Sequence, residues 1–579
     1  MTMLTKWGAA LDRSCPLPEY PRPQLRRESF YNLNGVWDYA VTPSGDEPEV
    51  WDGEIVVPFS PEAPLSGAAR GPAKDEYLHY RRGFTLPEEF QKSRVLLHFG
   101  AVDQIAEVFV NGVSAAKHSG GYWPFPADIT SLLREGENIL RVTVRDNADD
   151  PTFAYGKQRY KRGGMWYTAQ SGIWQTVWLE SVPEVYVKSL RITPEFDEAR
   201  VRIELETALE SSAAITCDVR AADGSFVAGS WAKGGVCVVP LPGFRAWTPD
   251  DPYLYTLDIT CGEDRVESYF AMRKFSYVEL DGHKVFGLNN APLFHNGLLD
   301  QGYYPDGLLT PPSDEAMVND IETMKRCGFN MLRKHIKIEP LRWYYHCDRL
   351  GMIVWQDMVS GGQPYSFLHV SALPTLGKVD LPDQDAKPYG RSGVLSRARF
   401  RREMADTVRL LYNCPCIALW TVFNEGWGQF DALDMANELK KLDPTRFIDH
   451  ASGWQDQGYE EMKSRHIYFR PVKLKNDGRA LALTEYGGYI LAVDGHRWTD
   501  KVFGYRICRD SAALAHDYEK LMLGQVLPHI RKEGLTAAVY TQITDVEEEL
   551  NGLMTYDREV LKIPEETLRE INAALRFDA

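Results

Sequence analysis

From about Lys274 onward, short apolar runs alternate with amphipathic segments such as DEAMVNDIETMKRCG, EPLRWYYHCDRLG and SRARFRREMADTVRLLY. Apolar residues at three- and four-residue spacing form one buried helix face, and strands separated by such helices pair in parallel. About 250–300 residues of this alternation predict a C-terminal (β/α)8 TIM barrel rather than an open sheet. Such a barrel gathers the C-terminal ends of its strands on one rim. The residues that close each apolar run therefore carry the functional information.

Six runs close on polar or ionisable side chains. FNMLRKH ends at Lys334 and His335, MIVWQD at Gln356 and Asp357, and CIALWTVFNE at Asn424 and Glu425. FIDH ends at Asp449 and His450, ALTEY at Glu485 and Tyr486, and VYTQITD at Gln542 and Asp545. One such residue is simply where a chain exits toward water. A whole ring is costly to bury without purpose. The ring has no Ser-His-Asp order in a nucleophile elbow, no phosphate-cradling Gly-rich loop and no HExxH or CxxC motif. Carboxylates among amides, aromatics and histidines are the equipment of glycoside hydrolysis: one carboxyl protonates the leaving oxygen and the other attacks the anomeric carbon.

Ahead of the barrel the pattern is strands only. From Asn32 to about Pro183, alternating runs such as VLLHFG, IAEVFVNG and NILRVTVRDN predict a β-sandwich, with Asn111-Gly112 as a hairpin turn. From Glu184 to Arg273, six further short runs suit an immunoglobulin-like β-sandwich. The expected domains are 1–183, 184–273 and 274–579, a division that suits a chain of 579 residues.

Charge and patterning exclude other roles. With 81 acidic against 65 basic residues, the net charge of −16 repels polyanions, so nucleic acid is excluded as a partner. No run of about 18 apolar residues and no signal-like start occur, so no membrane partner and a cytoplasmic location are expected. Nine scattered cysteines lack metal-ligand spacing, so reduced thiols, no metal and no cofactor are expected.

Trp420-Thr421-Val422-Phe423-Asn424-Glu425-Gly426-Trp427 and Thr484-Glu485-Tyr486-Gly487-Gly488 resemble glycoside hydrolase family 2, which holds β-galactosidases, β-glucuronidases and β-mannosidases. The resemblance covers the whole chain. Asn32-Leu33-Asn34-Gly35-Val36-Trp37 and Ser171-Gly172-Ile173-Trp174-Gln175 resemble the family's N-terminal jelly-roll sugar-binding domain, and Leu299-Asp300-Gln301-Gly302 its first barrel strand and loop. It implies Glu425 as acid/base and Glu485 as nucleophile, about 5–5.5 Å apart and acting by double displacement with retention. It also implies that Asn424 binds the sugar 2-hydroxyl and that Tyr468 holds the nucleophile. Asp357, His450, Trp454, His466, Gln542 and Asp545 are further substrate-binding candidates.

The glycone is less determined. No Asn is followed two positions later by Lys, the family's uronate-binding motif, and the segment Arg333-Lys334-His335-Ile336-Lys337 stands where galactosidases of the family carry a His-Tyr-Pro type sequence. Lys334, His335 and Lys337 would either pair with a uronate carboxylate or form salt bridges to acids such as Glu339 and Asp357. A β-galactosidase-like exo-β-glycosidase acting on a small glycoside is the first reading, and a β-uronidase (glucuronide or galacturonide) the second. A catalytically inactive carbohydrate-binding protein and a metal-dependent hydrolase are alternatives of other classes. The long insertion at 358–396 would wall the aglycone subsite or meet a neighbouring subunit of a homo-oligomer.

Overall fold

The computed structural model describes residues 3–90, 92–209, 214–376 and 380–578. In the first domain a six-stranded antiparallel sheet, including Gly35–Thr42, Tyr77–Thr85 and Glu137–Arg145, faces a four-stranded one built on Arg94–Phe99 and Val177–Val182. Alternate residues of each strand point inward, and Trp37, Tyr80, Leu97, Val108, Val142 and Leu179 fill the space between the sheets. The Asn111-Gly112 hairpin forms as its sequence predicts. Val110 pairs with Val113, and φ is +51° at Asn111 and +84° at Gly112.

The second domain packs sheets of three and four antiparallel strands around Ile203, Val219, Val239 and Leu257. Cys217, Cys237 and Cys261 serve as small apolar fillers of that core. Eight of the nine cysteines are buried and only Cys15 is exposed.

Eight parallel strands make the barrel: β1 (His295–Asp300), β2 (Met331–Lys334), β3 (Ile353–Asp357), β4 (Ile417–Thr421), β5 (Phe447–Asp449), β6 (Met462–Ile467), β7 (Ala480–Gly487) and β8 (Leu535–Thr541). Ladders run from β5 through β1 and β8 to β6, so the barrel is nearly closed, with its seam between β5 and β6. Helices follow β1 to β4, β7 and β8, beginning with Asp314–Arg326. Residues 450–461 and 468–479, after β5 and β6, form no helix, so the strand–helix alternation is incomplete there. Their sequences explain this, since Gly453, Gly458, Pro471 and Gly478 interrupt them and no apolar stripe recurs at helical spacing.

The barrel interior changes character along its axis. At the base, Met331, Ile353, Leu419, Phe447 and Met462 form an apolar layer. The hairpin Phe275–Leu280/His283–Leu288 seals it from below, with Phe286 stacked on Phe447 at 4.3 Å between ring centroids. Two residues further along the strands, the same inward positions hold Arg333, Asp449 and Ser464, with Asp357 at the top of β3.

Phe286 is fully buried in this seal. Phe286→Ala is expected to destabilise the barrel by about 3–5 kcal/mol through lost burial and a residual cavity. A denaturant midpoint shift equivalent to less than about 1 kcal/mol would show that the hairpin does not close the base.

Candidate active site

The upper layer is organised by Arg333. The alternation of β2 turns this side chain inward, and its guanidinium makes five hydrogen bonds. Nε and Nη2 donate to Asp357 Oδ1 and Oδ2 at 2.9 and 3.0 Å. Nη1 donates to Glu485 Oε1 at 3.0 Å and to the Thr484 carbonyl at 3.1 Å. Nη2 also donates to Asn424 Oδ1 at 2.8 Å, which leaves the Asn424 amide N–H groups for another acceptor. The second oxygen of Glu485 accepts from the Tyr468 hydroxyl, and Tyr468 is stacked on Tyr505 at 4.0 Å. Burial would raise the Asp357 carboxyl, but Arg333 and His335 hold it down at about 2. His335 Nδ1 lies 2.8 Å from Asp357 Oδ2.

Glu425 has a different environment. It follows β4 on a turn with φ +52°, a left-handed conformation held by its own N–H on the Ser452 carbonyl at 3.0 Å. Its Oε1 lies 2.8 Å from His466 Nδ1, and His466 Nε2 lies 3.3 Å from Ser452 Oγ. The Ser452 hydroxyl donates to Thr484 Oγ1, which donates to the Arg465 carbonyl. The Ser452 oxygen is thus free to accept from Nε2–H, which makes Nδ1 the acceptor of a carboxyl proton on Glu425. Burial acts in the same sense. It pushes the Glu425 carboxyl up, against the opposing charges of Lys157 and Arg333, and it lowers His466 to about 3, leaving the ring neutral.

One oxygen each of Glu425 and Glu485 and a ring nitrogen of His466 lie within 4.8 Å of one another. These three groups are close enough to share a metal ion. They also set two carboxyls in opposed environments, one beside a neutral imidazole and one against a guanidinium.

Sequence position and spatial position diverge for the remaining candidates. Trp454 is half-buried with its ring 5.9 Å from that of His466. Lys334 and Lys337 are outside the ring of side chains around the carboxyls. The Lys334 ammonium pairs with Asp300 at 2.6 Å and Glu339 at 2.8 Å, and that of Lys337 with Glu339 and the Gly302 and Leu309 carbonyls. His450 Nε2 accepts from the Gln457 N–H and so braces the loop after β5. Gln542 is tied between Gln301 and Asn551, and Asp545 between Lys562 and the Gly552 N–H.

Several neighbours of the site had no rim signal in the sequence. The first domain places Trp166 against Trp427, two residues beyond Glu425, with ring centroids 5.1 Å apart. Tyr167 donates its hydroxyl to Glu549, a buried carboxyl after β8 that burial raises. The described part of the 358–396 insertion borders the Glu425 turn: Asp383 accepts from Gln429 Nε2 and the Ala432 N–H, and Leu381 N–H donates to Gln455. Residues 377–379 of that insertion lie outside the described residues.

Comparison with known proteins gives a consistent family. Residues 64–183 match the profile of the glycosyl hydrolases family 2 sugar binding domain, 185–273 that of glycosyl hydrolases family 2, and 310–474 that of the family 2 TIM barrel domain. The chain is 25% identical over 387 residues to a β-galactosidase of Thermoanaerobacter pseudethanolicus, covering 63% of this chain and 47% of that protein. It therefore spans about half the length of that relative. It is 23% identical over 508 residues to human β-glucuronidase, covering 78% of this chain and 73% of that protein. A Bifidobacterium dentium β-glucuronidase structure, complexed with coumarin-3-O-glucuronide, superposes with a TM-score of 0.74 at 18% identity, over 95% of this chain and 98% of that one.

The ion pairs around Lys334 predict a structural effect. Lys334→Met leaves Asp300 and Glu339 buried with fewer counter-charges and is expected to cost about 3–5 kcal/mol of stability. Any remaining activity should fall equally on uronide and neutral glycosides. A selective loss on the uronide, with an unchanged melting temperature, would return Lys334 to the pocket.

Proposed function

Because the chain belongs to glycoside hydrolase family 2, we propose that it is a retaining exo-β-glycosidase with Glu485 as nucleophile and Glu425 as acid/base. The observation that carries this reading is the pair of adjacent carboxyls in opposed environments within 4.8 Å. That closeness suits direct attack on the sugar, since the inverting reaction needs carboxyls about 6.5–9.5 Å apart with a water between them. Glu485, aimed by Arg333 and Tyr468, attacks the anomeric carbon as Glu425 delivers its proton to the departing oxygen. Glu425 then takes a proton from water, which attacks the glycosyl-enzyme from the face the aglycone left, and two inversions give net retention. Asn424, oriented by Arg333, offers its amide N–H to the sugar 2-hydroxyl, where hydrogen bonding strengthens as the oxocarbenium-like transition state develops. The first-domain segment carrying Trp166 and the insertion around Asp383 wall the rim, which favours a terminal sugar over the middle of a chain.

The β-galactoside and β-uronide readings share this chemistry and differ at the group that meets the substituent on sugar carbon 5 and, for a glucuronide, also at the contacts to the 4-hydroxyl, whose configuration is reversed. The relatives divide between the same two readings. The pairing of Lys334 with Asp300 and Glu339, and of Lys337 with Glu339, supports the salt-bridge reading of these two lysines.

Glu485→Ala is expected to lower turnover by at least about 10⁴-fold on every aryl β-glycoside, because the covalent step has no substitute nucleophile. Glu425→Ala should keep glycosylation for good leaving groups, and added azide should yield the β-glycosyl azide. An inverted product from the unmutated enzyme, or full activity in either variant, would remove the assignment. Full turnover in EDTA is expected, and loss of turnover without unfolding would favour a metal shared by Glu425, His466 and Glu485. Glu425 must be protonated for the first step and its carboxyl is raised by burial. The alkaline limb of kcat/KM should therefore lie above the ordinary glutamate range. A limb at or below that range would place the proton elsewhere.

A further inference from the structure

Lys157 reaches the rim of the barrel from the first domain, and its position is fixed by backbone rather than by side-chain pairing. The N–H groups of Tyr155 and Gly156 donate to the Ser360 carbonyl, just beyond β3, at 3.1 and 3.0 Å. The Lys157 carbonyl accepts from the Tyr167 N–H at 3.0 Å. A Cβ on Gly156 would stand 3.0 Å from the Ile336 carbonyl, so the segment lies directly against the exit of β2. Lys157 is thus suspended over the strand ends that carry His335 and Asp357. Beside it are Trp166, whose ring centroid is 5.6 Å from Nζ, and the Tyr167–Glu549 pair.

The side chain is half-buried, and among the described residues its ammonium has no salt bridge and no hydrogen bond. Five other cations of this region have anionic partners. Arg333 holds Asp357 and Glu485, Lys334 and Lys337 share Glu339, Arg159 faces Asp149 at 3.6 Å and Arg162 faces Glu547 at 3.4 Å. The Lys157 charge is the strongest influence opposing burial at both Glu425 and Glu549, and it also acts on His335. Glu549 and His335 in turn feel Glu485. Lys157 therefore stands at the strand-end rim beside Glu425, His335 and Glu549, the groups that border the nucleophile.

We propose that Lys157 pairs with a carboxylate on the glycone, and that the substrate class is a β-linked uronic acid. This inference rests on the glycosidase reading above and adds the sugar to it. A neutral sugar filling the site would desolvate the ammonium and leave it unpaired, a substantial cost. A uronate converts the same burial into a charge-assisted hydrogen bond. The charge comes from a different domain than the carboxyls that perform the chemistry.

The test uses the full-length chain with aryl β-glucuronide, aryl β-galacturonide, the matching aryl β-glucoside and β-galactoside, and a β-galactoside whose aryl group carries a carboxylate. The unmutated enzyme should cleave one uronide best. In Lys157→Met the uronide-to-hexoside ratio of kcat/KM should fall about 10–100-fold, the size of a lost charged hydrogen bond. Lys157→Arg should recover part of that ratio, and melting temperatures of both variants report folding. Equal losses on both sugars, or cleavage of hexosides without uronides, would overturn the proposal and leave the glycosidase reading intact. A Lys157→Met effect confined to the carboxylated aglycone would overturn it as well. Binding of free glucuronate and galacturonate, measured by titration calorimetry on the same proteins, separates the two readings. A chain that cleaves nothing but binds uronate through Lys157 keeps the Lys157–carboxylate pairing and loses the glycosidase reading with its substrate, whereas one that binds no uronate loses the pairing.

Discussion

The five hydrogen bonds of the Arg333 guanidinium connect β2, β3, the turn after β4 and β7 in one plane across the barrel. A buried cation is stable only if its donors are met, and here the acceptors are two carboxylates, an amide oxygen and a backbone carbonyl. Their positions are consequently set by one rigid planar fork rather than by separate loops. The apolar seal at the barrel base matters to the same interaction, because it keeps water away from below and the charges interact strongly in a dry interior. Glu485, Asp357 and Asn424 thus share one constraint, and disturbing any of them moves the others.

The surroundings of Glu425 use neutral hydrogen bonds instead. Glu425, His466, Ser452 and Thr484 form a chain whose donors all run one way, ending on the Arg465 carbonyl. Ser452 belongs to the irregular segment after β5, one of the two places where the barrel lacks a helix. The irregular backbone lets Ser452 accept the Glu425 N–H on its carbonyl while its hydroxyl meets His466. Burial raises the Glu425 carboxyl a few ångströms from Glu485, in surroundings that differ without any change in residue type.

Much of this was legible in the sequence. Period-two runs marked both sandwiches, and the strand–helix alternation with its polar run ends marked the barrel. The helices absent after β5 and β6 were legible too, in Gly453, Gly458, Pro471 and Gly478, but eightfold regularity overrode that local signal. The basic segment from Arg333 to Lys337 reads as one cluster only if strand alternation is ignored. Arg333 and Lys334 are neighbours in the chain and face opposite sides of the sheet, one into the barrel and the other toward Asp300 and Glu339. Lys157, Trp166 and Glu549 carried no such signal, because their place depends on how the first domain docks and on a loop after β8.

The docking of Tyr155 and Gly156 on Ser360 brings two domains to one rim. On the glycosidase and uronate readings, bond cleavage would belong to the barrel, while part of the surface that selects the sugar would be lent by a sandwich with its own core. The two could then change at different rates over evolutionary time, since on that reading mutations in a surface segment of the sandwich would alter what is admitted without disturbing the carboxyls. A family arranged this way can diversify its diet by exchanging or remodelling an accessory module, keeping the reaction itself fixed.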